Sequence, residues 1–115
     1  MGFWRKDVIE VALDEQTRRN MQEQLDWIAR EPANPKPYYH LAQLNRMQWK
    51  QEEGLALLLE AVRLDRTFAD AHVALAEVYA VRGDYAAAWR HARAGESSGN
   101  PRGVELLERY GVKKP

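Results

Sequence analysis

The stretch ADAHVALAEVYAVRGDYAAAWRHARAGESSGNPR, residues 69–102, decides the fold. The preceding stretch, residues 35–68, has side chains of matching size when the two are aligned at an offset of 34 residues (69 minus 35). The matched pairs are Leu41/Leu75, Ala42/Ala76, Tyr38/His72, Gly54/Ala88, Leu58/Ala92 and Ala61/Gly95. A fixed period of this length is typical of stacked helical hairpins, each too small to bury its apolar face alone.

Each unit contains two helical stretches separated by a turn. The first unit opens on Pro35 and Pro37, and proline suits the first turn of a helix because its missing N–H costs nothing there. Apolar and small residues then recur three and four apart, as on one helical face: Tyr38, Leu41, Ala42 and Asn45, followed by Gly54, Leu55, Leu58, Ala61 and Val62. The pattern predicts an all-α protein built from antiparallel helical hairpins.

These residues resemble the tetratricopeptide repeat (TPR) family, whose loose pattern combines aromatics, Leu-Ala or Leu-Gly, a Gly-Asp-Tyr-like turn and spaced small residues. The second unit carries it at Leu75, Ala76, Tyr79, Gly83, Asp84, Tyr85 and Ala88. The first carries Tyr38, Leu41, Ala42, Ala61, Leu64 and Asp65, and departs at Asn45, Trp49 and Gly54. The resemblance implies a short right-handed superhelical solenoid of TPR-like hairpins.

Residues 1–34 are predicted to be a degenerate helical unit. We predict two helices here, with Asp14 as the N-cap of the second, because aspartate favours that position. A single long helix over 7–30 is the alternative, since no strong breaker lies between residues 13 and 17.

The C-terminal end is predicted to close the stack. Residues 103–111 form a capping helix that stops at Gly111, because glycine suits the residue after a helix and a solenoid end would otherwise expose apolar surface. A flexible tail is expected over 112–115, and the whole of 1–115 is expected to form one domain.

Composition excludes several classes of protein. The 17 basic residues balance 17 acidic ones, so no broad basic field favours nucleic acid. No cysteine is present, which removes disulfides and zinc–thiolate sites and fits a reducing, cytoplasmic location. Apolar runs such as 55–59 are too short to span a bilayer, so no membrane insertion is expected.

Catalytic and metal-binding motifs are rejected. Residues 95–99 match G-x-S-x-G, but that motif needs a strand-to-helix turn, and the preceding segment is helical. The three histidines, His40, His72 and His91, lack the spacing of a metal-binding helix motif. The sequence therefore predicts a protein that is not an enzyme, with no catalytic residue, metal or cofactor.

The leading helices of the two units are predicted to line a partner-binding groove, as the resemblance implies. Positions i, i+4 and i+7/8 share one side of a helix, which selects Tyr39, Gln43, Arg46 and Met47 from the first unit and Val73, Glu77, Ala80 and Val81 from the second. Because valine and methionine are poor choices for open water, we predict a scaffold that binds a partner peptide or helix.

Self-association is the alternative function. Trp49 stands at a turn where the family usually has glycine, so its ring is not expected to be fully covered. Together with Phe3 and Trp4 it offers aromatic anchors for a second copy, which would make the protein a homo-oligomer.

Overall fold

The computed structural model describes the backbone of residues 2–115 and the side chains of residues 14–115. This part of the chain contains six α-helices and no strand, which confirms the all-α prediction. In chain order the helices are α1 (Gly2–Arg30), α2 (Pro35–Met47), α3 (Gln51–Leu64), α4 (Ala69–Val81), α5 (Tyr85–Ser97) and α6 (Arg102–Arg109). Among the residues described, no helix is both long enough and apolar enough to cross a membrane.

The N-terminal unit is one helix, α1, and the predicted division into two helices is wrong. Asp14 therefore lies inside a helix and caps nothing. No glycine or proline occurs over 3–31 to force a break. Side chains four residues apart also pair along α1, as where Gln16 donates to the Asn20 side chain at 2.9 Å, and such pairs support a continuous helix.

Two hairpins follow α1, and their helix starts repeat at the predicted offset. Pro35 and Ala69 begin the leading helices, α2 and α4, while Gln51 and Tyr85 begin the trailing helices, α3 and α5. The Asn34 side chain accepts the backbone N–H two residues on at 3.0 Å, which satisfies one free donor at the start of α2. The helices therefore begin at equivalent points in both units.

Helices α2, α4, α5 and α6 end in the same hydrogen-bonded turn. In each, the residue after the C-cap has a positive φ: Trp49 (63°), Gly83 (81°), Gly99 (107°) and Gly111 (63°). After α2, the Trp49 N–H donates to the Arg46 carbonyl at 3.0 Å, and the next N–H donates to the Asn45 carbonyl at 2.9 Å. This is the Schellman motif, whose left-handed residue is usually glycine because a Cβ is disfavoured there.

The core consists of two adjoining clusters of mostly small residues. The first joins the two hairpins through Ala42, Leu58, Ala61, Ala71, Ala74, Leu75 and Val78. The second joins the second hairpin to α6 through Ala76, Ala88, Trp89, Ala92 and Leu107. Alanine at so many crossing points lets the helices approach closely, so the repeated small residues of the sequence are the ones that pack.

Helix α6 packs on α4 and α5, and two residues of the segment after it contact Trp89. The flexibility expected over 112–115 stays a prediction. In the structure, Trp89 Nε1 donates to the Val112 carbonyl at 3.3 Å, and Lys114 Nζ lies 5.1 Å from the Trp89 ring centroid. A cation over an aromatic ring contributes at least about 0.5 kcal/mol. The structure thus ties these two tail residues to the second core cluster.

Candidate functional site

Helices α2, α4 and α6 form one side of the stack, here called the leading face. All the predicted groove residues lie on α2 or α4, and each lines at least one of three adjoining clefts on this face: Tyr39, Gln43, Arg46, Met47, Val73, Glu77, Ala80 and Val81. Glu77 lines all three clefts. The structure therefore brings the predicted residues together around one carboxylate.

A chain of polar contacts crosses the leading face from α2 to α4. Gln43 Nε2 lies 3.5 Å from the Tyr39 hydroxyl, and Arg46 Nη1 donates to Gln43 Oε1 at 2.9 Å. Arg46 Nη2 then lies 3.4 Å from Glu77 Oε2, which makes a long ion pair. The Arg46 side chain is only 21% exposed, so water screens this pair less than a pair on open surface.

On one side of this contact chain lies a cleft of about 210 Å³, here called the polar cleft. It is lined by Tyr39, Gln43, Asp70, Val73, Ala74, Glu77, Asn100 and Arg102. Asn100 Nδ2 donates to Asp70 Oδ1 at 2.8 Å, which links the start of α4 to the loop before α6. Burial raises the pKa of the Tyr39 hydroxyl, and the Asp70 carboxylate raises it further. Tyr39 thus stays neutral and can both donate and accept a hydrogen bond.

On the other side lies a larger cleft of about 480 Å³, here called the apolar cleft. It is lined by Arg46, Glu77, Ala80, Val81, Leu106, Leu107, Tyr110 and Val112. Val81 is 89% exposed and Tyr110 is 72% exposed, although both are large apolar side chains. Exposed apolar side chains grouped around a cleft are typical of an interaction site.

Sequence reasoning missed the part of the apolar cleft that comes from α6 and the tail. The prediction gave this helix only a capping role. A signal was present, because residue 103 follows residue 69 by one further period of 34 (103 minus 69), so α6 stands where a third leading helix would begin.

The predicted apolar groove residues differ in how far their side chains are exposed to solvent. Met47 is 76% exposed beside a third cleft of about 370 Å³, which Gln51 also lines. Val73 was expected to be exposed but is only 8% exposed, because its side chain packs towards Gly95 of α5. Val73 therefore supports the floor of the polar cleft, whereas Met47 and Val81 are available to a partner.

The side chains of the predicted self-association residues are described only in part. Trp49 is 85% exposed and lies in the turn between α2 and α3. Phe3 and Trp4 lie outside the residues whose side chains the structure describes.

The rejected catalytic serine and the histidines have ordinary structural surroundings. Ser97 is the last residue of α5, without a strand before it. His72 Nδ1 lies 3.1 Å from His91 Nδ1, and His72 Nε2 lies 2.8 Å from the Arg66 carbonyl oxygen. Across the residues described, no group of three or more His, Cys, Asp or Glu side chains is placed to hold a metal ion. The two histidines form a partly buried hydrogen bond between α4 and α5.

Comparison with solved structures supports the fold. The chain is similar to the crystal structure of MamA, a TPR-like protein, with a TM-score of 0.65 and 21% sequence identity. The match covers 80% of this chain, and the chain spans 57% of the length of that MamA chain. No protein-family model matches the sequence, and no curated protein matches it. The chain has a TPR-like helical repeat fold.

Proposed function

We propose that this protein is a non-enzymatic, cytoplasmic scaffold of TPR type that binds a peptide or helix of a partner protein on its leading face. The apolar cleft carries this proposal. Val81 and Tyr110 stay exposed on either side of it, and Leu106 forms part of its wall. A surface that only faced water would not need such side chains there.

The partner contributes an apolar anchor side chain to this cleft. Burial of one large aliphatic or aromatic side chain is worth about 1.5–3 kcal/mol, and few residues dominate most interfaces. The Arg46–Glu77 pair lies at the edge of the cleft, where charge complementarity selects among partners more than it strengthens binding. The polar cleft alongside offers Tyr39 and Asn100 to the backbone or polar side chains of the same segment.

The test replaces two of the exposed apolar residues of the leading face, one from α2 and one from α4. In the double variant Met47→Glu with Val81→Glu, we expect partner binding to fall at least tenfold, because two carboxylates would have to be desolvated in the interface. Partners are first identified by affinity purification from the native cell with mass spectrometry. The dissociation constant of one purified partner is then measured by calorimetry.

A matched control separates the site from the added charge. Ala56→Glu with Ala86→Glu adds the same two charges at exposed positions of the trailing helices α3 and α5. Both double variants should keep the helical circular dichroism spectrum, and the control should keep its affinity. Unchanged affinity of the Met47/Val81 variant, or equal loss in both variants, contradicts the leading-face site.

Self-association is the second candidate function, and the conformation of Trp49 favours it. A bulky residue with positive φ costs free energy, and such strain often occurs at functional sites. Here the ring that accompanies this strain is almost wholly in solvent. In this alternative, Trp49 and the N-terminal aromatics pack against a second copy.

A further inference from the structure

Gly54 is a glycine inside a helix, where glycine is unfavourable. It lies in the first turn of α3 and is buried against α2. A helical glycine is less favourable than alanine because the unfolded chain gains freedom. Its presence therefore calls for a steric reason at this position.

The neighbours of Gly54 supply that reason. A Cβ built at Gly54 would lie 2.8 Å from Cγ of Arg46 and 3.3 Å from the carbonyl oxygen of Ala42. The first distance is shorter than carbon atoms tolerate, so alanine here would displace the Arg46 stem. The space left empty by Gly54 is the path that the Arg46 side chain takes across α3.

The second unit shows the alternative solution. One period later, Arg46 corresponds to Ala80 and Gly54 corresponds to Ala88. Ala88 is completely buried at the crossing of α4 and α5, so a Cβ fits at this place when the opposite residue is small. The two units thus fill the same place with different pairs of residues. Arg46 faces Gly54 in the first unit, and Ala80 faces Ala88 in the second.

The Arg46 head group benefits from this path. With its stem over Gly54, the guanidinium lies between the apolar and third clefts and bonds to Gln43 and Glu77. Nε is sheltered from solvent and, within the described residues, has no hydrogen-bond acceptor. The position of the Arg46 guanidinium therefore depends more on the path of its aliphatic stem than on its hydrogen bonds, which are incomplete.

We propose that Gly54 is a positioning residue, whose missing side chain places the Arg46 guanidinium on the leading face. The position of Arg46 does not depend on any partner. That this position selects partners rests on the function proposed above.

The test compares Gly54→Ala in two backgrounds by NMR and thermal unfolding. In the otherwise unchanged chain, Gly54→Ala should shift the Arg46 Nε–Hε resonance and speed its exchange with water, because the stem is displaced. In the Arg46→Ala background, which reproduces the alanine pair of the second unit, the same change should raise Tm by roughly 4 °C through helix propensity. In the Arg46 background the gain should be smaller or become a loss.

Ala88→Gly is the matched control in the second unit. It should lower Tm and leave the Arg46 resonance unchanged, since the cavity forms at the other crossing. An unmoved Arg46 resonance in Gly54→Ala, or an equal rise in Tm in both backgrounds, overturns the proposal. If Gly54→Ala fails to fold, the double variant Gly54→Ala with Arg46→Ala decides. Folding of the double variant supports the proposal. Its failure to fold would mean that the Ala42 carbonyl, and not Arg46, requires glycine at this position.

Partner affinity separates this inference from the proposed function. A displaced Arg46 with unchanged affinity for a purified partner leaves Gly54 as a positioning residue and removes Arg46 from partner selection. A partner that is insensitive to Met47→Glu with Val81→Glu contradicts the leading-face site whatever Arg46 does.

Discussion

Trp49 occupies a backbone position that the other turns of the same kind give to glycine. Its φ of 63° lies in the left-handed region, like those of Gly83, Gly99 and Gly111. For a residue with a Cβ this region costs roughly 1–2 kcal/mol. The ring is 85% exposed, so little burial offsets that cost within this chain.

Trp49→Gly should therefore stabilise the protein. Relief of the left-handed strain outweighs the extra freedom that glycine has in the unfolded chain, and we expect a net gain of about 1 kcal/mol and a rise in Tm of roughly 4 °C. Trp49→Ala is the control, because it removes the ring and keeps the Cβ. Differential scanning calorimetry should show a higher Tm for glycine than for alanine. Equal values would mean that the ring, and not the backbone, sets the stability of this turn.

His72 and His91 form the one histidine pair that joins two helices in the described part of the chain. The Arg66 carbonyl can only accept, so His72 Nε2 carries a proton, and one of the two Nδ1 atoms donates to the other. Burial lowers the pKa of His91 most, and together with the charges of His72 and Arg90 it brings that pKa to about 4. The His91 ring is therefore neutral where α4 and α5 pack at neutral pH.

This pair should make the second hairpin sensitive to acid. The unfolded chain binds the His91 proton near pH 6.5 and the folded chain only near pH 4, so stability is complete above pH 6.5 and falls as the pH drops towards 4. Because His91 is only half buried, we expect a loss of about 1–2 kcal/mol after allowance for solvent screening. Urea unfolding from pH 7.5 to 4.5 measures it, with His91→Gln as the reference. Parallel pH profiles for the two chains would contradict this role of His91.

At the scale of helices, the two hairpins and the C-terminal helix could be predicted, whereas the continuity of α1 and the contacts of the tail could not. The helices of both units could be predicted from the spacing of apolar and small residues. This spacing recurs after 34 residues, so Leu41 and Leu75 are expected to be buried in the same way. Helix α1 is continuous because no glycine or proline interrupts it. The prediction of two helices gave more weight to Asp14 as a possible N-cap. The tail contacts of Val112 and Lys114 depend on a tryptophan distant in sequence, which no local pattern reveals.

The candidate site was predictable to a similar degree. Helical spacing alone groups the α2 and α4 residues, because residues four apart share a face. It cannot show that Val73 turns towards Gly95, since that depends on how closely α4 and α5 cross. Nor can it show that Leu106 and Tyr110 complete the apolar cleft, because this requires the position of α6.

The molecule as a whole is elongated. Its principal extents are 52 × 37 × 21 Å and its radius of gyration is 16.3 Å, whereas a compact domain of this length would have about 13 Å. Such a shape leaves much surface open for contacts. The two proposed functions differ in whether a second copy covers part of it.

Sedimentation separates these two functions. If the leading face serves a different protein, the chain should sediment as a monomer at micromolar concentration. If Trp49 serves a second copy, a dimer should form, and Trp49→Ala should weaken it at least tenfold because exposed aromatic anchors dominate such contacts. Gln51→Ala, an exposed change in the neighbouring turn of α3, is the control. A dimer that is indifferent to Trp49→Ala contradicts this contact.

The equal spacing of Pro35 and Ala69 has a consequence for how the chain can grow. A duplicate of residues 69–102, spliced between positions 68 and 69, would enter and leave the backbone at equivalent points. Both termini would keep their neighbours, and the length available to a bound segment would increase by one whole module. Evolution or an engineer can therefore adjust the length of this stack in steps of one hairpin, without changing the packing between the existing helices.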